Sequence, residues 1–271
     1  MAAPQQAASG GEEGDGGTCG SRLHVQGTIC RERVAMTWFG VRTTFFAPWA
    51  DAYEERVTIH RAGDVAEAIE AAEREAREYA EIVEMEPTGL RQAFRMADEP
   101  EEGVVVFALS RRSDLEPDDY LDRFFSTGEE MERIIDPSLS DRESCSRETA
   151  DPLNPRDEAP ESVVAVDGAA RWFGVRTVFE ISSGVYEERV TIHKAASFED
   201  AIDAAEYLAH DYADLLEVLD TGLTQAYWMA DELEDGAEVF SLLRRSGLTS
   251  GEYVGRFFST GDEMERVAPS A

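Results

Sequence analysis

Two histidines occupy matched positions in a repeated segment, and they are the side chains best suited to chemistry near neutral pH. The octapeptide YEERVTIH runs from Tyr53 to His60 and recurs unchanged from Tyr186 to His193. Because an imidazole titrates near neutrality, each histidine could serve as a general base or as a ligand. A histidine at a strand end can equally be a hydrogen-bonded or solvated residue beside Trp38, without a chemical role.

Tryptophan and arginine repeat together with the histidines. The hexapeptide WFGVRT begins at Trp38 and again at Trp172. If Ser183–Gly184 is a two-residue turn, Val175 faces Ile192, and alternation places aromatic, guanidinium and imidazole groups on one face of the hairpin. Trp and Arg are enriched in binding hot spots, so we predict that this face is open or apposed to a partner. The alternative is that the two repeats pack on each other through this face. The predicted partner-binding residues are Trp38, Arg42, Arg56, His60, Trp172, Arg176, Arg189 and His193.

Other catalytic and metal-binding patterns are weak in this sequence. The three cysteines lie in predicted tail or linker segments, which argues against a disulfide framework or a cysteine metal site; they are Cys19, Cys30 and Cys145. The acidic stretch 98–103 could attract a divalent cation, but it is more typical of a solvated turn. We predict no catalytic residue, no metal and no cofactor, and we leave open whether the protein is an enzyme while favouring a non-enzyme.

Two arginine pairs stand out in an otherwise acidic chain: Arg111-Arg112 and Arg244-Arg245. A guanidinium can bind a carboxylate through two parallel hydrogen bonds. We expect these arginines to pair with Asp or Glu residues of their own repeat.

The charge balance narrows the class of partner. The chain has 57 acidic and 25 basic residues, a net charge of −32. Such an excess argues against binding to a phosphate backbone or to an anionic membrane surface. The longest apolar run, Val104 to Leu109, is too short to cross a bilayer, and the first residues lack the apolar core of a signal peptide. We therefore expect a cytoplasmic protein whose partner is another protein, with a basic one fitting best and a homo-oligomer also open.

The repeats define the organisation of the chain. The two copies align without a gap from Tyr53 and Tyr186 onward, and their one length difference falls between the first two predicted strands. The stretch between them is acidic and contains four prolines, which is typical of a solvated linker. We predict an N-terminal tail at 1–37, repeat domains at 38–133 and 172–266, a linker at 134–171 and a short tail at 267–271.

Each copy shows the same succession of patterns. Two strands joined by a hairpin precede a long helix, whose apolar stripe includes Ile202, Ala205, Ala209 and Tyr212. Thr88-Gly89 and Thr221-Gly222 are expected to end the two long helices. Two more strands and a short helix follow. The sequence thus predicts an α+β fold of two tandem homologous ββαββα domains, each an antiparallel sheet covered by one long helix.

These motifs resemble those of a bacterial family of short domains of unknown function, the family numbered 4288. The resemblance rests on the opening Trp-Phe-x-Val-Arg strand, the Tyr-Glu-Glu strand, the Ala/Glu-rich helix and the stretch ELEDGAEVFS at Glu232 to Ser241. It covers both repeats, although Val105 stands where the second copy has Glu238. The family implies no activity and no catalytic residues.

Three functional hypotheses follow. The first is a non-catalytic acidic protein-binding module, resembling an immunity protein or an inhibitor that engages a basic partner. The second is a small-ligand-binding or hydrolytic domain centred on the repeated histidine. The third is a structural repeat protein whose acidity serves solubility.

Overall fold

A computed structural model describes residues 36–131, 170–230 and 232–264. Most of the predicted linker and both predicted tails lie outside the described residues, apart from the few positions that border the strands. The same holds for Cys19, Cys30 and Cys145.

The described residues form ten strands and four helices, in an order that is the same in both halves. The first half contains β1 (Thr37–Ala47), β2 (Ala52–Ala62), α1 (Val65–Val83), β3 (Glu86–Arg95), β4 (Val105–Arg112), α2 (Pro117–Phe124) and β5 (Glu130–Met131). The second half contains β6 (Arg171–Ser182), β7 (Val185–Ala195), α3 (Phe198–Leu216), β8 (Leu219–Trp228), β9 (Glu238–Arg245), α4 (Ser250–Phe257) and β10 (Glu263–Met264). The predicted α+β class with antiparallel sheets is confirmed, and each half ends in a short strand that the prediction lacked.

The long helices begin as their sequences indicate but end earlier than predicted. The Asp64 side chain accepts a hydrogen bond from the backbone N–H of Glu67, and Ser197 caps α3 in the same way. Both helices end at a glutamate in the left-handed conformation, Glu84 and Glu217. The expected stops at Thr88-Gly89 and Thr221-Gly222 are therefore wrong, because those residues lie in strands β3 and β8.

Each sheet contains one strand that comes from the other half of the chain. The first sheet has the order β3-β1-β2-β9-β5 and the second has the order β10-β4-β7-β6-β8. Thus β9 of the second half pairs with β2 of the first, while β4 of the first half pairs with β7 of the second. The expectation that each repeat builds its own sheet is wrong at the fourth strand, although the predicted domain boundaries stay a prediction.

The molecule has four layers, in the order α1, first sheet, second sheet and α3, with three packing interfaces between them. Helix α1 covers the outer face of the first sheet through four buried alanines at four-residue spacing, and α3 covers the second sheet likewise. The inner faces of the two sheets pack against each other through a shared apolar cluster that includes Ile59, Phe107, Ile192 and Phe240. The sheets approach so closely that a Cβ on Gly40 would lie 1.9 Å from the carbonyl oxygen of Val106.

The register of the β6–β7 hairpin differs by one residue from the prediction. The turn at Ser183–Gly184 is present, with Ser182 opposite Val185, but the register shifts between Glu180 and Ser182. Beyond that bulge Val175 faces Thr191, where Ile192 was expected. Because side chains alternate along a strand, a slip of one residue moves one strand's side chains to the opposite face relative to its partner.

The strand exchange predicts how a single repeat behaves. A fragment of residues 36–133 would leave β2 without β9 and β4 without β7, two open edges in one chain. We expect the fragment to form a dimer in which β4 of each copy pairs with β2 of the other. Light scattering after size-exclusion chromatography measures its mass, and its unfolding midpoint should rise with concentration. A monomer that unfolds cooperatively would contradict the exchange.

Candidate functional site

The eight predicted partner-binding residues do not share an open face. Trp38 and Arg42 point from β1 toward the second sheet, whereas Arg56 and His60 point from β2 toward α1. The second half repeats this division. Six of the eight side chains are buried, while Trp172 and Arg189 are half-buried. The expectation of a common exposed surface is therefore wrong, because the hairpin register differs by one residue; a role of these residues in partner binding stays a prediction.

Four of the buried charged residues form a quartet between the sheets. Nε of Arg42 lies 2.8 Å from Glu55 of the same half, and Nε of Arg176 lies 2.8 Å from Glu188 of the same half. The terminal nitrogens cross over, so that Arg42 also binds Glu188 and Arg176 also binds Glu55. Each carboxylate thus contacts one guanidinium from each half. All four side chains are at most 4% exposed.

Aromatic and amide groups enclose this quartet. The guanidinium carbon of Arg42 lies 4.2 Å from the ring centre of Phe107. Its Nη1 donates a hydrogen bond to the side-chain oxygen of Gln92, whose amide nitrogen donates to the carbonyl of Phe258. Arg176 makes the corresponding contacts in the other half. The guanidiniums therefore find hydrogen-bond and π partners as well as carboxylates.

The ion pairs of the quartet stabilise the charged forms of Glu188 and Arg42. Burial by itself would raise the pKa of Glu188, but the guanidiniums of Arg42 and Arg176 outweigh it and hold that pKa well below its ordinary value. Burial likewise opposes the charge on Arg42, while Glu188 and Glu55 raise its pKa. Glu188 and Arg42 are therefore both charged at neutral pH.

A second pair of ion bridges links the halves at one end of the molecule. Nε of Arg111 lies 3.0 Å from Glu263, and Nε of Arg244 lies 2.8 Å from Glu130. The expected carboxylate partners are present, but each comes from the other half, which corrects the expectation of pairing within one repeat. The exchanged strands β4 and β9 carry these arginines, so the bridges depend on the exchange.

The repeated histidines lie beneath the long helices. Nε2 of His60 is 2.8 Å from the hydroxyl of Thr58, and Nε2 of His193 is 2.8 Å from that of Thr191. Both residues are at most 2% exposed. Burial lowers the pKa of His193 to about 4 and lowers that of His60, although Asp235 opposes the latter shift. Both imidazoles are therefore neutral at physiological pH, and each is bonded to a hydroxyl.

Two clefts in the described part of the molecule lack these histidines. One has a volume of about 470 Å³ and is lined by residues of both halves, with Arg245 and Arg256 near Asp51 and Asp122. The other, of about 60 Å³, lies beside β3. Within 36–131, 170–230 and 232–264, no group of three or more His, Cys, Asp or Glu side chains is placed to hold a metal ion.

The outer surfaces of the long helices hold exposed apolar side chains that the sequence analysis did not identify. On α3, Tyr207 is 67% exposed and Leu215 is 80% exposed. On α1, Ile82 is 80% exposed, but Arg74 stands at the position matching Tyr207. The signal in the sequence was this difference between copies, since matched helix positions should stay alike if both served only solvation. None of the described helices is long and apolar enough to cross a membrane.

Comparisons with protein-family models, with curated proteins and with solved structures found no match for this chain. The resemblance to the family numbered 4288 therefore stays a prediction.

Removing one charge of the quartet should lower the free energy of unfolding. Arg176→Met leaves two buried carboxylates facing one guanidinium, and we expect it to cost about 3–5 kcal/mol in the free energy of unfolding. Urea denaturation monitored by circular dichroism measures this cost. Adding Glu188→Gln restores neutrality and should return part of the loss. Arg245→Met removes an exposed guanidinium and serves as the control, with a change of about 0.5 kcal/mol or less; an equal change in Arg176→Met would contradict the structural role.

The buried histidine predicts a pH dependence of stability. His193 has a pKa of about 4 in the folded protein against 6.5 when unperturbed, so between these values the unfolded chain binds more protons. Stability should therefore fall as the pH falls from 6.5 to 4, with His193 accounting for up to about 3 kcal/mol.

Urea denaturation at pH 7 and pH 4 should show a smaller loss for His193→Gln than for the unmodified chain. His210→Gln, on the exposed surface of α3, should leave the loss unchanged. Equal losses of stability in all three proteins would mean that a group other than His193 causes the pH dependence.

Proposed function

We propose that this chain is a non-catalytic acidic protein-binding module whose partner is a basic protein. One observation carries the proposal: the buried arginines are paired inside the molecule, while the two long helices expose carboxylates on their outer surfaces. Helix α1 has six acidic residues and two arginines, and α3 has six acidic residues and no Lys or Arg. A negative surface of this kind attracts a cationic partner and speeds their association.

We also propose that the two halves are a fused duplication. The unchanged octapeptide, the shared element order and the equivalent contacts of Arg42 and Arg176 support this proposal. In this account the linker joins two units that would otherwise pair as a homodimer. Family membership, a cytoplasmic location and an immunity-like or inhibitor-like role belong to the same proposal and rest on the sequence arguments.

The alternatives have less support. A hydrolytic or ligand-binding site centred on the repeated histidines needs an accessible imidazole, and His60 and His193 are buried and line neither described cleft. A purely structural repeat protein gives the exposed Tyr207 and Leu215 no role, whereas a binding surface on α3 uses both.

Capture and titration test the binding proposal. The full chain is immobilised, a host extract is passed over it, and proteins are eluted with increasing salt and identified. We expect the eluate to contain a basic protein that binds the chain directly when purified. Its Kd should rise about tenfold or more as added salt screens the charges. Replacing Asp203 and Asp214 by Asn on α3 should weaken binding, since it removes two surface charges.

Replacing Glu70 and Glu81 by Gln on α1 removes the same number of charges from the other helix, so the two variants together compare the contributions of α1 and α3 to binding. An acidic partner, or a Kd that does not change with salt in any of these proteins, would contradict the proposal.

A further inference from the structure

Apolar side chains form a stripe on the outer surface of α3. Tyr207 and Leu215 are eight residues apart, and Asp211 lies midway between them. Residues four apart on a helix lie on the same side, so these three residues follow one line along the helix. Leu219, 51% exposed, lies just beyond the end of α3. We call the four residues the α3 stripe.

The matching surface of α1 lacks this stripe. Arg74, Glu78, Ile82 and Glu86 occupy the corresponding positions. Ile82 is as exposed as Leu215, at 80%, but its neighbours along the helix are charged. Packing on the sheet does not require the difference, since both helices bury alanines at the same four positions. The α3 stripe therefore needs an explanation outside the fold.

The charges around the α3 stripe favour a positively charged binding partner. Glu206, Asp211, Asp214 and Glu217 lie on or beside it, and α3 contributes no Lys or Arg. A second copy of α3 placed against the first would bring two sets of carboxylates together in a partly desolvated interface, which is unfavourable. A cationic partner would instead pair with them. The charge pattern thus favours a basic partner over self-association.

The spacing of the stripe indicates the shape of the partner. Eight residues at 1.5 Å each place Tyr207 and Leu215 about 12 Å apart along the axis. An amphipathic helix presents apolar side chains at the same interval when they lie at positions i and i+8, and a Lys or Arg at position i+4 then faces Asp211. Its flanking positions then lie beside the carboxylates of α3.

We propose that the α3 stripe docks a basic amphipathic helix of another protein, with apolar side chains packed on Tyr207 and Leu215 and Lys or Arg side chains paired with the flanking carboxylates. This inference rests on the proposed function and identifies the surface and the kind of segment it binds. Helix-on-helix recognition through such spaced anchors is a common mode of peptide binding.

Fluorescence anisotropy with a synthetic helical peptide tests the proposal. The probe is a fluorescein-labelled peptide with Leu at helical spacing on one face and Lys on the other, titrated with the full chain. Leu215→Arg should weaken binding about tenfold or more, because it removes an anchor and adds a repelling charge. Ile82→Arg makes the same charge change at the same exposure on α1 and should weaken binding less than about threefold. Both residues are exposed, so thermal unfolding should be nearly unchanged.

Each other outcome contradicts the inference in a distinguishable way. Equal weakening by Leu215→Arg and Ile82→Arg would mean that peptide binding depends only on the net charge of the chain. The proposed docking on the α3 stripe would then be wrong, while the proposal of a basic partner would stand. A chain that binds neither this peptide nor any basic protein from the host extract would contradict both. A dimer of the full chain that Leu215→Arg dissociates would identify a second copy as the occupant and overturn the proposal.

Discussion

A buried quartet of two arginines and two glutamates holds the two halves in register. Each carboxylate of the quartet contacts one guanidinium from its own half and one from the other. Such ion pairs add little net stability compared with apolar packing, but leaving one charge unpaired is costly. The quartet therefore disfavours arrangements in which the halves separate or slip, since these would leave buried charges unpaired. The strand exchange, the shared inner core and the ion bridges of Arg111 and Arg244 all require the register that the quartet sets.

This arrangement decides which surfaces are free to bind. The inner faces of both sheets are used by the contact between the halves, and the outer faces are covered by α1 and α3. The residues that looked most reactive in the sequence, such as Arg42 and His193, are buried and bonded to other side chains inside the protein. Function is left to the outer sides of the helices, to the loops and to the clefts, and the exposed apolar residues among carboxylates on α3 are the clearest candidate.

The elements could be predicted from local patterns, whereas the site could not. The hairpin turn at Ser183–Gly184, the caps of the long helices and their alanine stripes follow from spacing and residue type. The bulge near Ile181 has no such signal, and it reversed which residues share a face. The pairing of β4 with β7 was equally hidden, because the octapeptide YEERVTIH occurs in both β2 and β7 and offers a neighbouring strand two almost equivalent partners. Only the full packing, including the quartet, distinguishes them.

Nuclear Overhauser contacts of β4 in the full chain test this account most directly. In the exchanged arrangement Leu109 lies opposite Glu188 of the other half. In a self-contained repeat, the matching position in the same half is Glu55. The account predicts cross-strand backbone contacts between Leu109 and Glu188, whose protons are close enough for detection in an antiparallel pair. Contacts between Leu109 and Glu55 instead would show that each repeat folds on its own and would contradict the central claim.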